Sequence, residues 1–344
     1  MISGSSGRPS AVHDIQTPAL LIHAEALDHN LATMAAARPG AAMRPHVKAH
    51  KCTALAAAQA AAGHSGFTCA TPREMVGMAA AGLGTDLLLA NETVDRKRLE
   101  AMARLATDGT ARITVAVDSP ETIDAAAAAG IREVVIDVNI GLRRCGCAPT
   151  AAGRMADLAR ASGIRVRGTM GYEGHLMALT DRDDKRTKTE AAIELLLGAH
   201  AEVGGDLVTS GGTGTYDLHP QSIEVQAGSY ALMDTQYGAL HLPFRQAAFV
   251  LGTTIASNPR YAVADVGLKA LGMDHGNPSI DGADVLFCSD EHITFVPHVG
   301  VATVGDRVSV TPAHIDPTMA MHETAWLVRG EEILDRWPID LRGW

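Results

Sequence analysis

Two patterns of hydrophobic and polar positions alternate along the first two thirds of the chain. Short apolar runs typical of buried strands are separated by alanine-rich stretches whose apolar residues recur at helical spacing. The strand-like runs are Ala19–Ile22, Ala42–Val47, Phe67–Ala70, Leu87–Ala90, Ile113–Val117, Val134–Val138, Val166–Met170 and Leu207–Val208. The clearest helical stretches are Ala24–Arg38, Thr53–Ala62, Pro72–Ala81, Pro120–Ala129 and Ala151–Ala161. The pattern predicts a repeated strand–helix unit.

Eight such units, each of roughly 25 residues, are what a (β/α)8 TIM-type barrel requires. Glycines follow several of the helices at the position of a left-handed cap, namely Gly63, Gly82, Gly130, Gly163 and Gly204. An open, doubly wound sheet is the alternative, and periodicity alone does not distinguish the two. We favour the barrel because of the strand count, and because no Gly-x-Gly-x-x-Gly motif follows the first strand.

The pattern changes after about Leu242, where helical stretches give way to short alternating segments separated by turn formers. These segments are Phe249–Ile255, Tyr261–Val266, Val285–Cys288, Ile293–Val296 and Arg307–Val310. We therefore expect the barrel at residues 17–241 and a β-rich C-terminal domain at residues 242–344. Residues 1–16 form an N-terminal segment that we expect to be partly disordered, because Met1–Ser10 is polar and rich in glycine and serine.

Composition narrows the class of protein. Of the 344 residues, 47% are hydrophobic and 20% are charged, with a formal net charge of −10. This acidic balance argues against a nucleic-acid partner, and no apolar run is long enough to cross a bilayer. The five cysteines are sparse and form no CxxC motif, which is typical of free thiols in a reducing cytoplasm.

Polar residues stand at the carboxyl ends of the predicted strands, where a barrel carries its active site. Lys48 ends the second predicted strand and is flanked by His46, His50 and Lys51. Neighbouring positive charge and burial lower the pKa of a lysine, which favours the neutral amine that attacks carbonyl groups. A basic surface turn is the structural alternative. Polar residues follow five further strands: Thr71, Asn91, Arg144, Tyr172 and Ser210.

A glycine-rich run, Ser210-Gly211-Gly212-Thr213-Gly214, follows the eighth predicted strand, where barrels commonly bind phosphate. The segment Gln226-Ala227-Gly228-Ser229-Tyr230 could complete such a cradle. A plain loop is the alternative, since glycine-rich turns are common. A phosphate cradle and a strand-end lysine in one barrel together predict pyridoxal 5'-phosphate (PLP), bound to the lysine as a Schiff base.

A His-x-Asp pair, His314 and Asp316, lies in the sequence Pro312-Ala313-His314-Ile315-Asp316-Pro317-Thr318. Two protein ligands leave most of a metal's coordination positions to water and substrate, as in a catalytic site. Imidazole with carboxylate suits manganese, magnesium or zinc. A solvated loop is the alternative.

Five segments together resemble the D-threonine aldolase and D-serine dehydratase family of alanine-racemase-like, type III PLP enzymes. The resemblance runs from about Asp14 to Gly343, and the motifs occur in the family's order. They are the segments at residues 44–51, 210–214, 226–230 and 312–318, and Asp290-Glu291-His292.

The resemblance implies specific roles. Lys48 carries the cofactor, Tyr172 and Arg144 face it, and His314 and Asp316 bind a divalent cation. A homodimer acting on a small amino-acid substrate is also implied. The expected activity is that of an aldolase, a lyase that cleaves D-β-hydroxy-α-amino acids to glycine and an aldehyde. Asp316 favours this activity, because the family's dehydratases tend to carry cysteine there.

One loop departs from the family. The best-known threonine aldolases place a histidine beside the tyrosine and another several residues later, whereas this chain has Glu173 after Tyr172 and Ala178 further on. His175, or a hydroxide on the metal, is then the candidate catalytic base. The alternatives are a dehydratase acting on D-serine or D-3-hydroxyaspartate, an amino-acid racemase, and a PLP-binding protein without catalytic activity.

Overall fold

The computed structural model describes residues 9–343, and its strands and helices are numbered here along the chain. The strands are β1 (Ala19–His23), β2 (Gly66–Cys69), β3 (Asp86–Leu89), β4 (Ile113–Val117), β5 (Glu133–Val138), β6 (Arg165–Gly171), β7 (Leu207–Ser210), β8 (Glu224–Val225), β9 (Ala248–Asn258), β10 (Tyr261–Ala264), β11 (Ser279–Ile280), β12 (Ala283–Cys288), β13 (Ile293–Pro297), β14 (Arg307–Thr311), β15 (Thr324–Arg329) and β16 (Glu332–Pro338). The helices are α1 (Ala24–Ala37), α2 (Thr53–Ala61), α3 (Pro72–Ala80), α4 (Arg96–Thr107), α5 (Pro120–Ala128), α6 (Ala152–Ala161), α7 (Arg182–Val203), α8 (Thr235–Gly238) and α9 (Ile315–Met321).

The chain divides into two compact units. The barrel unit contains residues 31–230, 239–242 and 340–343 of the described chain, and the β-rich unit contains residues 9–30, 231–238 and 243–339. This division differs from the predicted boundaries, because residues 17–30 group with the β-rich unit. The disorder expected for Met1–Ser10 falls largely outside the described residues, which begin at Pro9.

The barrel unit is built on a parallel sheet in which seven strands, β2 to β8, follow one another in chain order. The eighth stave, or strand position, of the barrel comes from residues 43–46. Met43 bridges to Val225 of β8, and His46 bridges to Thr68 of β2. These two bridges place the segment between the first and last strands of the sheet and complete the ring. The predicted strand Ala42–Val47 is reduced to isolated bridges in part because Pro45 has no N–H to donate.

The prediction of a barrel with eight staves is confirmed, but the membership of one strand was wrong. β1 was predicted as the first barrel strand, and it pairs instead with β9 and β15 in the other unit. The last strand of the barrel sheet along the chain, β8, has only two residues, so no apolar run in the sequence predicts it. An apolar run indicates only that a strand is buried. Either sheet can bury the apolar residues of β1, so the pattern did not show which sheet contains this strand.

Buried ion pairs join the amino ends of the barrel strands. The guanidinium of Arg44 donates to Glu224 at 2.7 Å and to Asp86 Oδ2 at 2.9 Å. Asp86 also accepts from Arg167, at 2.8 and 3.0 Å. Burial works to raise the pKa of Asp86, but hydrogen bonds from Arg167 and the charge of Arg44 outweigh it and lower that pKa to about 2. This network stabilises the end of the barrel opposite the candidate site.

The β-rich unit contains a nine-stranded sheet in the order β10-β13-β12-β11-β14-β9-β1-β15-β16. Most neighbours are antiparallel, and β1 runs parallel to β15. Its core includes Val12, Ile15, Leu21, Leu251 and Val328. The prediction that helices are absent beyond Leu242 was wrong at α9, which is short and carries Asp316. Among residues 9–343, no helix combines the length and apolarity needed to span a membrane.

Candidate active site

Lys48 lies in a single 3-10 turn, Val47–Ala49, directly after the eighth stave. The backbone N–H of His46 donates to Ala227 O at 3.0 Å, and the N–H of Lys48 lies 3.4 Å from His46 Nδ1. These contacts fix the turn beside the loop that follows β8. Lys48 is half-buried at the carboxyl end of the sheet, where the sequence predicted it.

Lys51 is held in a different way. Its Nζ forms an ion pair with Glu74, whose side chain is fully buried. The same carboxylate accepts the backbone N–H of Ala70 at 2.6 Å and of Thr71 at 3.3 Å, and so closes a capping box at the start of α3. Lys51 is therefore part of the scaffold.

The hydrogen bonds of the His50 imidazole fit its neutral form. Nδ1 accepts the N–H of Cys52 at 3.1 Å, so the proton lies on Nε2, which donates to Gln59 Oε1 at 3.2 Å. Gln59 donates in turn to the hydroxyl of Tyr230 at 3.1 Å. With His50 neutral and Lys51 paired, the structure places less positive charge beside Lys48 than the sequence predicted.

Some backbone N–H groups of the glycine-rich run donate to protein groups, and others remain for a ligand. The N–H of Gly211 donates to Glu173 Oε2 and that of Gly212 to Thr215 Oγ1, each at 3.3 Å. By contrast, three buried residues have N–H groups that donate to no protein group between residues 9 and 343, namely Thr213, Gly214 and Gly228. Unpaired N–H groups in buried residues are rare in folded proteins, and an anion would satisfy them. The run therefore fits a phosphate.

The lysine turn and the two glycine loops are in direct contact. A Cβ on Gly228 would lie 2.5 Å from His46 O and 2.9 Å from Ala49 Cβ, so only glycine permits this approach. On the other side, the N–H of Tyr230 donates to Thr213 Oγ1 at 3.0 Å. Loop 226–230 thus connects Lys48 to the glycine-rich run. Tyr230, predicted to bind the cofactor, has a fully buried side chain and supports this loop from inside.

Glu173, which sequence reasoning missed, organises this region. Its Oε1 accepts from Thr215 Oγ1 at 2.6 Å, and its Oε2 accepts from Ser210 Oγ at 3.1 Å and from Gly211. His219 Nε2 lies 3.4 Å from the same carboxylate, and its Nδ1 lies 3.0 Å from Thr215 O. The signal available in the sequence was the position of Glu173 directly after Tyr172 at a predicted strand end, because a carboxylate buried there needs several donors.

Lys185, on α7, ties two loops together. Its Nζ donates to Met177 O at 3.1 Å and to Gly214 O at 3.2 Å. Burial, and to a smaller extent the charge of Arg182, lower the pKa of this lysine to about 8. Lys185 therefore fixes the backbone of the glycine-rich run relative to the loop after β6.

The structure brings together Tyr172 and Arg144, which were predicted to belong to one site. Tyr172 follows β6, and the guanidinium carbon of Arg144 lies 5.5 Å from the centroid of its ring. A Cβ on Gly212 would lie 3.4 Å from the Tyr172 ring, so the aromatic face adjoins the glycine-rich run. His175 is exposed, and its ring packs against Gly141.

The predicted metal pair lies in the β-rich unit. His314 is the residue before α9, and Asp316 is in the first turn of that helix. The nearest described neighbours of the His314 ring were missed by the sequence: Nδ1 lies 2.9 and 2.8 Å from the two carboxylate oxygens of Asp274, and His275 stacks on the ring at 3.7 Å. Possible ligand atoms of Asp274, His275 and His314 lie within 4.8 Å of one another. Asp316 is not part of this group of three. Imidazole nitrogen and carboxylate oxygen are both ligands that suit a divalent cation.

Known proteins match this chain along nearly its whole length. The family model of the alanine racemase N-terminal domain matches residues 22–236, and a serine dehydratase domain model matches residues 247–328. The chain is 31% identical to the 3-hydroxy-D-aspartate aldolase of Paracoccus denitrificans (strain Pd 1222) and 31% identical to the D-threonine aldolase of an Arthrobacter species. Each match covers 96% of this chain and 93% of the relative.

A solved structure and a more distant relative agree with this. The crystal structure of D-threonine aldolase from Filomicrobium marinum is 32% identical, has a TM-score of 0.92, and is matched over 98% of this chain and 99% of that chain. The D-threo-3-hydroxyaspartate dehydratase of a Delftia species is 29% identical over 76% of this chain and 74% of its own length. The aldolases are thus more similar over a longer stretch than this dehydratase.

Proposed function

Because this chain belongs to the alanine-racemase-like family of PLP enzymes, with aldolases among its relatives, we propose that it is a PLP- and metal-dependent lyase. It cleaves D-β-hydroxy-α-amino acids, of which D-threonine and 3-hydroxy-D-aspartate are the leading candidates, to glycine and an aldehyde. One observation carries this proposal: buried residues Thr213, Gly214 and Gly228 present unpaired N–H groups directly beside the turn that bears Lys48. That combination fits a phosphorylated aldehyde held covalently by a lysine.

Each barrel residue then has a defined task. Lys48 would hold the cofactor through Nζ, while Thr213, Gly214, Gly228 and Ser229 would hold its phosphate. When bound, the cofactor accepts the electron pair that the broken Cα–Cβ bond releases. Tyr172 and Arg144 orient it, the tyrosine by its face and the guanidinium by its charge. Lys51, paired with Glu74, takes no part.

His314 and Asp316 would hold the cation, for which manganese is our first candidate. A bound divalent cation supplies a Lewis acid that lowers the pKa of the substrate's β-hydroxyl group. His175 would then take the hydroxyl proton. Its ring is exposed, and within residues 9–343 it forms no hydrogen bond to another protein group, so both nitrogens remain available.

Dehydration of a D-hydroxyamino acid is the second candidate, because it would use the same lysine, cofactor and cation. In that reaction Lys48 removes the α-proton, and the products are a keto acid and ammonia. Asp316 favours the aldolase, since a carboxylate is a harder ligand than the cysteine typical of the dehydratases. We further propose a homodimer in the cytoplasm, the compartment that suits five free cysteines.

The test is to incubate the PLP-loaded protein with D-threonine, 3-hydroxy-D-aspartate and D-serine and to identify the products, with L-threonine as a control. Glycine with acetaldehyde from D-threonine, or with glyoxylate from 3-hydroxy-D-aspartate, supports the aldolase. A keto acid with ammonia supports the dehydratase. Chelation should abolish cleavage and leave the visible absorption of the bound cofactor intact, and added Mn²⁺ should restore cleavage. Unchanged cleavage after complete chelation would refute the metal requirement.

A further inference from the structure

The carboxylate of Asp274 faces one nitrogen of His314. Its two oxygens lie 2.9 and 2.8 Å from Nδ1. Two sets of lone pairs repel each other at this distance, so a proton must lie between them, and Nδ1 is its natural position. With that proton on Nδ1, the lone pair of the neutral form of the ring lies on Nε2. In metalloproteins a carboxylate commonly fixes the tautomer and orientation of a liganding histidine in this way.

Backbone contacts hold the two partners in register. Gly272 and His314 form an antiparallel bridge, with the N–H of His314 3.2 Å from Gly272 O. The hydroxyl of Thr318 accepts the N–H of Gly272 at 2.9 Å and donates to His314 O at 2.7 Å. A Cβ on Gly272 would lie 2.3 Å from the Pro317 ring, so the segments approach closely. These backbone contacts therefore hold Asp274 beside His314, so its position does not depend on a flexible side chain alone.

The neighbouring ring limits rotation of His314. His275 and His314 stack with centroids 3.7 Å apart and planes 15° from parallel. The stack fixes the plane of the His314 ring, and the carboxylate fixes which of its edges faces Asp274. Together they leave a single orientation for Nε2.

We propose that Asp274 is a positioning residue for the cation site: it holds Nδ1–H of His314, so that Nε2 is presented as the metal ligand. This inference rests on the proposed cation site at His314 and Asp316. Removing such a carboxylate from a metal-bound histidine weakens metal binding by about 10-fold to 100-fold. Asp274→Asn keeps an acceptor oxygen, so it should weaken binding less than Asp274→Ala.

The experiment measures Mn²⁺ binding to the PLP-loaded protein by titration calorimetry, without substrate. We expect Asp274→Ala to bind Mn²⁺ about 10-fold to 100-fold more weakly than the wild type, with the visible cofactor absorption unchanged. Asp281→Asn is the matched control, because it removes an exposed carboxylate from the same unit and should leave Mn²⁺ affinity unaltered. An unchanged affinity in Asp274→Ala would overturn the inference.

Water proton relaxation by the bound Mn²⁺ distinguishes positioning from direct ligation. At saturating protein, the relaxivity of each bound ion should be equal in the wild type and in Asp274→Ala, because no protein ligand has been lost. A higher relaxivity in the variant would mean that water replaces Asp274 on the metal and would refute a positioning role. If the wild type, His314→Ala and Asp316→Ala all fail to bind Mn²⁺, the proposed metal-dependent function fails instead.

Discussion

At the scale of single residues, two lysines three positions apart differ completely in their surroundings. Lys51 is paired with the buried carboxylate of Glu74, which also caps α3. Lys48 lies in a turn beside loops with unpaired backbone donors. The first arrangement stabilises the fold, and the second suits covalent binding of a phosphorylated ligand.

Replacing each lysine should therefore have opposite effects. Lys48→Ala should abolish the visible cofactor band and leave the urea midpoint of the cofactor-free protein nearly unchanged. Lys51→Met should keep the band and lower the free energy of unfolding by about 3 to 5 kcal/mol, because it leaves the Glu74 carboxylate buried without its cation. Adding Glu74→Gln to Lys51→Met should recover part of that loss. Loss of the band in Lys51→Met together with its retention in Lys48→Ala would reverse the assignment.

Asp86 should make folding sensitive to acid. Its folded pKa of about 2 lies below its ordinary value of 3.8, so its stabilising effect is complete above about pH 4 and is lost as the pH falls through 2. The full effect is about 2 kcal/mol. Asp86→Asn should thus be less stable than the wild type at pH 7 in urea titrations, and the difference should shrink by pH 2.5. Exposed Asp124→Asn is the control and should show little difference at either pH.

At the scale of elements, the sequence predicted best where local pattern and final burial coincide. β4 occupies the predicted residues Ile113–Val117, and α2 and α6 end within one residue of prediction. The glycines predicted to end helices, such as Gly82 and Gly163, have positive φ. These features depend on neighbours in the sequence, which is why periodicity and caps reveal them.

Elements defined by distant partners were not predictable in this way. The stave at residues 43–46 is recognised only by its bridges to β2 and β8. Glu173 and Asp274 acquire their significance from His219 and His314, which lie far away in sequence. The pattern of polar residues identified the carboxyl ends of the barrel strands and the His-x-Asp pair as candidate sites. The groups that orient these residues could not be identified in this way, because they depend on tertiary contacts.

Gly228 tests the contact between the lysine turn and loop 226–230. In Gly228→Ala the new methyl group would lie 2.5 Å from a backbone oxygen, His46 O, which cannot rotate away. We expect the loop and the turn to separate, with loss of stability of about 1 to 3 kcal/mol and weaker retention of the cofactor during dialysis. Gly198→Ala, in the middle of α7 with open space around it, is the control and should stabilise the protein slightly.

At the scale of the whole molecule, the β-rich unit depends on a strand from the start of the chain. β15 and β16 are joined to the remaining strands of their sheet through β1 alone. A fragment of residues 231–339 should therefore fail to fold, because removing β1 separates a two-stranded hairpin from the other six strands.

Fusing residues 9–30 to that fragment through a flexible linker should restore folding. The fluorescence of Trp326 and Trp337, on β15 and β16, and resistance to protease report the result. The same fusion with Leu21→Asp should not fold, since Leu21 is buried in the core of the sheet. A well-folded fragment without β1 would contradict this dependence.

The position of β1 also sets an order of events during synthesis. β1 leaves the ribosome before the barrel, yet its neighbours β9 and β15 are translated only after the whole barrel segment. At translation rates of about 5 to 20 residues per second, the wait is on the order of 10 to 50 s. For that interval the nascent chain carries an unpaired apolar strand, Leu20-Leu21-Ile22, and unpaired strand edges are where aggregation begins. β1 is made before the barrel but finds its partners only after the barrel is made, so yield in the cell should depend on chaperones that cover it.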